Sequence, residues 1–114
     1  MALPELTKKQ IEKILGAYCR AKVPAGLHDS VRIGFKIQGN NVTLFEERPA
    51  FGKPELWVKI VVAQFRFKSQ EKEWTLYCAD RNSRWHTYSE VEPSKNFENL
   101  LKEVDEDPTG IFWG

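Results

Sequence analysis

Between Glu73 and Tyr88 the chain alternates apolar and polar residues on both sides of a polar break, Asp80-Arg81-Asn82-Ser83. Two paired antiparallel strands read this way, and few other structures do. A four-residue loop at the break sets Ala79 opposite Arg84, Cys78 opposite Trp85, Tyr77 opposite His86 and Thr75 opposite Tyr88. Side chains alternate along a strand, so Trp74, Leu76, Cys78, Trp85 and Thr87 share one face, the core face. Thr75, Tyr77, Arg84, His86 and Tyr88 share the other, which is aromatic, basic and rich in hydrogen-bonding groups.

The remainder supplies partners for this hairpin. Val31, Ile33, Phe35 and Ile37 alternate with polar residues as a half-buried strand, and Gly39-Asn40-Asn41 suits a tight turn. Val42, Leu44 and Glu46 continue on one face of the return strand, with Thr43 and Phe45 on the other. The stretch Arg48 to Pro54 reads as a loop, because its two prolines cannot donate to a ladder. Trp57 to Phe67 is the longest strand, with Phe65 and Phe67 toward the core and Gln64 and Arg66 opposite. A polar turn follows at Ser69-Gln70-Glu71-Lys72.

Helical periodicity flanks the strands. Thr7 and Gln10 have capping-box spacing, Leu6 and Ile11 that of a hydrophobic staple, and Ile11, Ile14, Leu15 and Tyr18 form one stripe. Val23-Pro24 and Gly26 end this helix. A second helix is predicted from Pro93-Ser94, with Phe97, Leu100, Leu101 and Val104 as its apolar stripe. Asp107-Pro108-Thr109-Gly110 has type I turn chemistry, and the tail Ile111-Phe112-Trp113-Gly114 is too apolar to hang free. A docked Trp113 should cost about 3–5 kcal/mol when truncated. The expected architecture is a single α+β domain over residues 1–114, an antiparallel sheet of about five strands flanked by an N-terminal and a C-terminal helix. Strand order beyond the two hairpins stays open.

Composition narrows the function classes. A chain of 114 residues with 41% hydrophobic and 29% charged content is ordinary for a soluble globular protein. The net charge is +1, so no global field demands nucleic acid or membrane. Charge is uneven, though. Residues 1–22 hold five basic against two acidic side chains, a local +3, and residues 90–107 hold seven acidic against two basic, a local −5. Solvated helix faces account for both. The start, Met1-Ala2-Leu3-Pro4-Glu5, lacks the basic and apolar regions of a secretory signal, and no run reaches the roughly eighteen apolar residues of a membrane helix. Cys19 and Cys78 then read as free thiols acting as small hydrophobes in a reducing cytoplasm.

No constellation signals catalysis. His86 has Asp80 nearby in the hairpin, but spacing marks no nucleophile or second polar group beside it. Glu46 and Glu47, adjacent in a strand, point to opposite faces and cannot both hold one ion. Cys19, Cys78, His28 and His86 lack the paired short spacings of zinc sites, and no glycine-rich phosphate loop or nucleophile elbow is present. No metal or cofactor is expected, and the reading leans against an enzyme.

If both helices cover one face, the open face collects Arg32, Lys36, Gln64, Arg66, Tyr77, Arg84, His86 and Tyr88. Aromatics stack on bases and arginines hold phosphates, so nucleic acid or a phosphorylated ligand suits that set. Arg66, Tyr77, Arg84, His86 and Tyr88 are the candidate binding residues. Ordinary solvent-facing strands use the same residue types, which is the blander account. Two alternatives stand beside binding: a protein-interaction or assembly module using an edge strand or the acidic helix, including self-association, and a hydrolase using His86.

Five segments together resemble a known family. They are Thr43 to Pro49, Val62 to Phe67, Trp74 to Tyr77, Arg84 to Tyr88 and, most specifically, Asp107-Pro108-Thr109-Gly110-Ile111-Phe112-Trp113-Gly114. The family is one of short bacterial proteins catalogued as domain of unknown function 3024. The resemblance spans nearly the whole chain and implies a bacterial, stand-alone single domain, with no activity or catalytic residue attached. Cys78 stands where the resemblance implies an aromatic residue, a departure that bears on packing only.

Overall fold

A computed structural model describes residues 3–23, 25–27 and 30–113. The elements run α1 (Glu5–Lys22), a 3-10 turn at Ala25–Leu27, β1 (Arg32–Gln38), β2 (Asn41–Ala50), β3 (Lys53–Lys68), β4 (Glu73–Ala79), β5 (Trp85–Thr87) and α2 (Phe97–Glu106). The five strands form one antiparallel meander in chain order. The fold is α+β, as the alternation patterns predict. Among the described residues no helix is long and apolar enough to cross a membrane.

The entry to α1 differs from its prediction. Glu5 is already helical, Pro4 is the N-cap, and no side chain caps the first turn. Pro4 has a pre-set φ and Glu5 places negative charge at the positive end of the helix dipole. The lock at this end is Leu3, buried in the core, whose N–H bonds the Gly39 carbonyl at 3.3 Å. Leu6 is 72% exposed, so the predicted staple with Ile11 does not close. Val23 is extended at the exit, as a residue before proline should be. Pro24 lies outside the described residues.

The β2–β3 hairpin is longer than the prolines suggest. Arg48–Ala50 and Lys53 belong to strands, joined by a Phe51-Gly52 turn with Gly52 at φ +78°. Both prolines sit where a ladder tolerates them. Gln38 and Asn41 flank the β1–β2 turn, so by alternation the odd residues of β2 bond toward β1. β1 ends opposite Glu47, and the nitrogen of Pro49 therefore faces no strand. Pro54 lies in the irregularity between the Pro49–Trp57 and Ala50–Lys53 pairs. A second irregularity, at Val62, buries Val62 and Ala63 in succession.

Both helices pack on one face of the sheet. Ile11 and Leu15 of α1 join Val42, Leu44, Phe65 and Leu76, and α2 adds Phe97, Leu100, Leu101 and Val104. The α2 stripe is as predicted, but its start is later. Ser94 bridges to Trp74 through two backbone bonds of 2.8 and 3.0 Å, and Asn96 caps the helix by accepting from the Glu98 N–H at 3.0 Å.

The tail docks. Gly110 N–H closes the predicted turn on the Asp107 carbonyl at 3.0 Å. The Asp107 carboxylate accepts from the N–H groups of Phe112 (3.1 Å) and Trp113 (2.8 Å), and Trp113 Nε1 donates to the Val104 carbonyl at 3.1 Å. Phe112 is the more buried ring and lies 4.9 Å from Tyr88. Phe112→Ala should therefore lower stability by about 3–5 kcal/mol, and half-buried Trp113→Ala by less, in denaturant titration. Equal melting of Phe112→Ala and wild type contradicts the docking.

Candidate ligand-binding face of the sheet

The sheet face away from the helices is built by alternation. It presents Arg32, Gly34 and Lys36 from β1, Thr43, Phe45 and Glu47 from β2, and Trp57, Lys59, Gln64 and Arg66 from β3. β4 adds Thr75 and Tyr77, and β5 adds Trp85 and Thr87. Cations sit over rings across the strands. Arg32 stacks 3.8 Å from the Trp57 ring, Lys59 Nζ sits 4.2 Å from Phe45, and Arg66 covers Tyr77 at 3.9 Å. Gly34 makes room for the second of these, since a Cβ there would meet Phe45 Cζ at 2.9 Å.

Gln64 ties this layer together. It is only 8% exposed although no helix covers it, because Arg66 and Thr43 close over its amide. Its Nε2 donates to Thr43 Oγ1 at 2.9 Å and its Oε1 accepts from Arg66 Nε at 2.6 Å. The Arg66 guanidinium is thereby held over Tyr77.

Of the five candidate residues, the structure brings Arg66 and Tyr77 together on this face and separates the other three. The pairing of β4 with β5 is Ala79–Trp85, Cys78–His86 and Tyr77–Thr87, one residue away from the predicted register. The cause is the loop. Asp80 N–H donates to the Arg84 carbonyl at 2.9 Å, so three residues, Arg81-Asn82-Ser83, form the turn instead of four. Ser83 takes φ +60°, and Asp80 Oδ1 accepts from the N–H groups of Asn82 (2.8 Å) and Arg84 (3.0 Å). A register slip of one moves every side chain of the short strand to the other face.

Tyr88 therefore belongs to the core: it is buried against Phe112 and its hydroxyl donates to Glu103 at 3.0 Å. Trp85, predicted for the core, joins Tyr77 and Thr87 on the open face. Arg84 closes the loop and is exposed. His86 shares the helix-side parity of Cys78 but lies exposed, its Nε2 2.8 Å from Asp80 Oδ2. Nothing in the sequence marks Ser83 for a left-handed φ, since glycine or asparagine is the usual sign.

The imidazole contact, followed by the backbone N–H of Arg84, holds the Asp80 carboxyl below its ordinary range. A carboxyl depressed in the folded state adds stability above its unfolded pKa and loses it as pH falls through the folded value. The Asn82 and Arg84 amide shifts should hold through the ordinary carboxylate value near about 3.9 and change only at lower pH. Loss of those shifts at or above that value contradicts the loop geometry.

The thiols are not poised for chemistry. Burial pushes Cys19 up to about 11 and raises Cys78 as well, whose Sγ lies 3.6 Å from the His86 carbonyl. His28 lies outside the described residues. Clefts occur elsewhere, on the helix side. One of about 580 Å³ has Phe67, Trp74 and Phe97 in its lining with Lys13, Lys72 and Lys95, and no sequence pattern announced it. A second, of about 510 Å³, lies between the ends of both helices and the base of the β2–β3 hairpin.

Fold and face together define a small antiparallel meander, backed on one side by two helices and bare on the other. The family model described as Domain of unknown function (DUF3024) matches residues 3–114. The chain belongs to that family. No curated protein and no solved structure matches it.

Proposed function

We propose that this chain is a non-catalytic binding module whose helix-free sheet face takes single-stranded nucleic acid, with a smaller phosphorylated ligand engaging the same groups. The observation that carries this reading is the Arg66–Tyr77 stack at 3.9 Å, with Lys59–Phe45 and Arg32–Trp57 further along the same face. Bases stack on guanidinium planes as well as on aromatic rings, and the same cations offer charge to a phosphate chain. Basic residues outnumber acidic ones on this face, where Glu47 and Glu73 stand against Arg32, Lys36, Lys59, Arg66 and Lys68. Trp85 extends the aromatic row beyond Tyr77. Arg84 and His86, exposed at the adjoining loop, would meet a strand that runs past Trp85. The hydrolase reading has less support, because His86 and Asp80 line neither of the two clefts. A bacterial, cytoplasmic setting fits the family resemblance and the two free thiols.

Titration with single-stranded RNA and DNA at low salt tests this. Resonances of Arg66, Tyr77 and Trp85 should shift, and Tyr77→Ala should weaken binding by the roughly 1–3 kcal/mol that one stacked base contributes. Raising salt should reduce affinity in proportion to the phosphates neutralised. An unchanged spectrum with both nucleic acids overturns the proposal.

A further inference from the structure

The β2–β3 hairpin carries apolar surface that its own chain does not cover. Phe51 at its turn is 107% exposed, and Leu56, Val58 and Ile60 are 53%, 47% and 48% exposed. Val58 and Ile60 pair with Arg48 and Glu46, which puts them on the helix side of the sheet but beyond both helices. β1 stops opposite Glu47, so Arg48 to Ala50 and their β3 partners project as a two-stranded arm. Exposed apolar runs of this kind mark interaction sites.

At the base of the same arm, on the same side, lies the cleft of about 510 Å³. Val23, Val31, Ile33 and Trp113 supply its apolar lining, and Asp105 to Asp107 its acidic rim. Asp105 already binds Tyr18 and Lys22, and the Asp107 carboxylate binds backbone N–H groups, but Glu106 forms no such contact among the described residues. The arm therefore has an apolar knob followed by a cation, Phe51-Gly52-Lys53, at one end. At the other it has a cleft in which apolar side chains sit among charged ones with acids in excess, Glu46, Asp105, Glu106 and Asp107 against Lys22 and Arg48.

The geometry points to a second copy of this chain as the occupant, in a two-fold clasp of the arms. Two arms laid antiparallel, helix side to helix side, bring each turn to the base of the other. The partner's Phe51 then enters the cleft beside Ile33 and Trp113, and the partner's Lys53 meets Glu106. Around the axis, Val58 and Leu56 pack against the same strip of the other arm. Such a contact is isologous, the commonest form of protein self-assembly. A specific interface of this kind should bury on the order of 1,000 Å² or more in total.

Edge-to-edge pairing of β3 is a poorer match. Its regular unpaired stretch, Trp57 to Val61, is five residues long and bounded by both irregularities, too short for an extended ladder. The clasp stands whether or not the bare face binds nucleic acid, since it uses the other side of the sheet.

Sedimentation equilibrium of the full chain over about a hundredfold range of concentration tests it. A monomer–dimer equilibrium is expected. Phe51→Asp, at a fully exposed site where the fold is not at stake, should weaken it about thirtyfold or more, as an interface anchor does. Lys53→Glu should weaken it severalfold, and adding Glu106→Lys should restore it, with unchanged circular dichroism throughout. A monomer at every concentration overturns the proposal. So does a dimer indifferent to Phe51→Asp, or one that the charge exchange does not recover.

Discussion

The Phe97 ring sits between Phe65 and Trp74, with centroids 4.5 and 5.0 Å away, and this contact decides which face of the sheet α2 covers. Each such aromatic pair adds about 0.5–1.5 kcal/mol to the burial of the rings themselves. Trp74 does double duty. Its backbone bonds Ser94, which delivers the chain to Asn96 and the start of α2, while its indole meets the ring that α2 brings. With Ile11 and Leu15 of α1 joining the same cluster, all the helical surface is committed to one side.

The consequences follow from strand lengths. β3 spans sixteen residues and β1 and β4 seven each, so the two helices and short strands cannot cover the whole of the central hairpin. What is left is a helix-free face and a projecting arm. The face is closed by side chains alone: guanidinium and ammonium groups lie on rings, and Gln64 is sealed by Arg66 and Thr43. These stacks give the face order without helical cover.

Much of this was legible in the residues. Period-two runs at Ile33 to Ile37 and Trp74 to Cys78, and the stripe of Phe97, Leu100, Leu101 and Val104, are direct records of burial, so the strands and helices emerge from them. What stayed hidden depends on geometry that residue type does not encode. Asp80 selects a three-residue turn by capturing two backbone N–H groups, and that one-residue choice exchanged Trp85 with His86 and Tyr88 between faces. Pro49 sits in a strand because β1 happens to end beside it. Thr7 is not a cap because Leu3 anchors the helix earlier. Arg66 and Tyr77 were legible as residues of one face because β3 and β4 alternate cleanly there, with Phe65 and Leu76 paired on the core side; that they touch was not legible, since strand order stayed open.

The central claim is that both helices bury the core on one side of this sheet and leave the other side without helical cover. Solvent paramagnetic relaxation with a neutral gadolinium chelate measures it directly, using the indole N–H groups of Trp74 and Trp85 as internal standards. The structure predicts clearly greater broadening for half-buried Trp85 and Tyr77 than for Trp74 or the Phe65 and Phe97 rings, which should show almost none. Equal protection of Trp85 and Trp74 would contradict it.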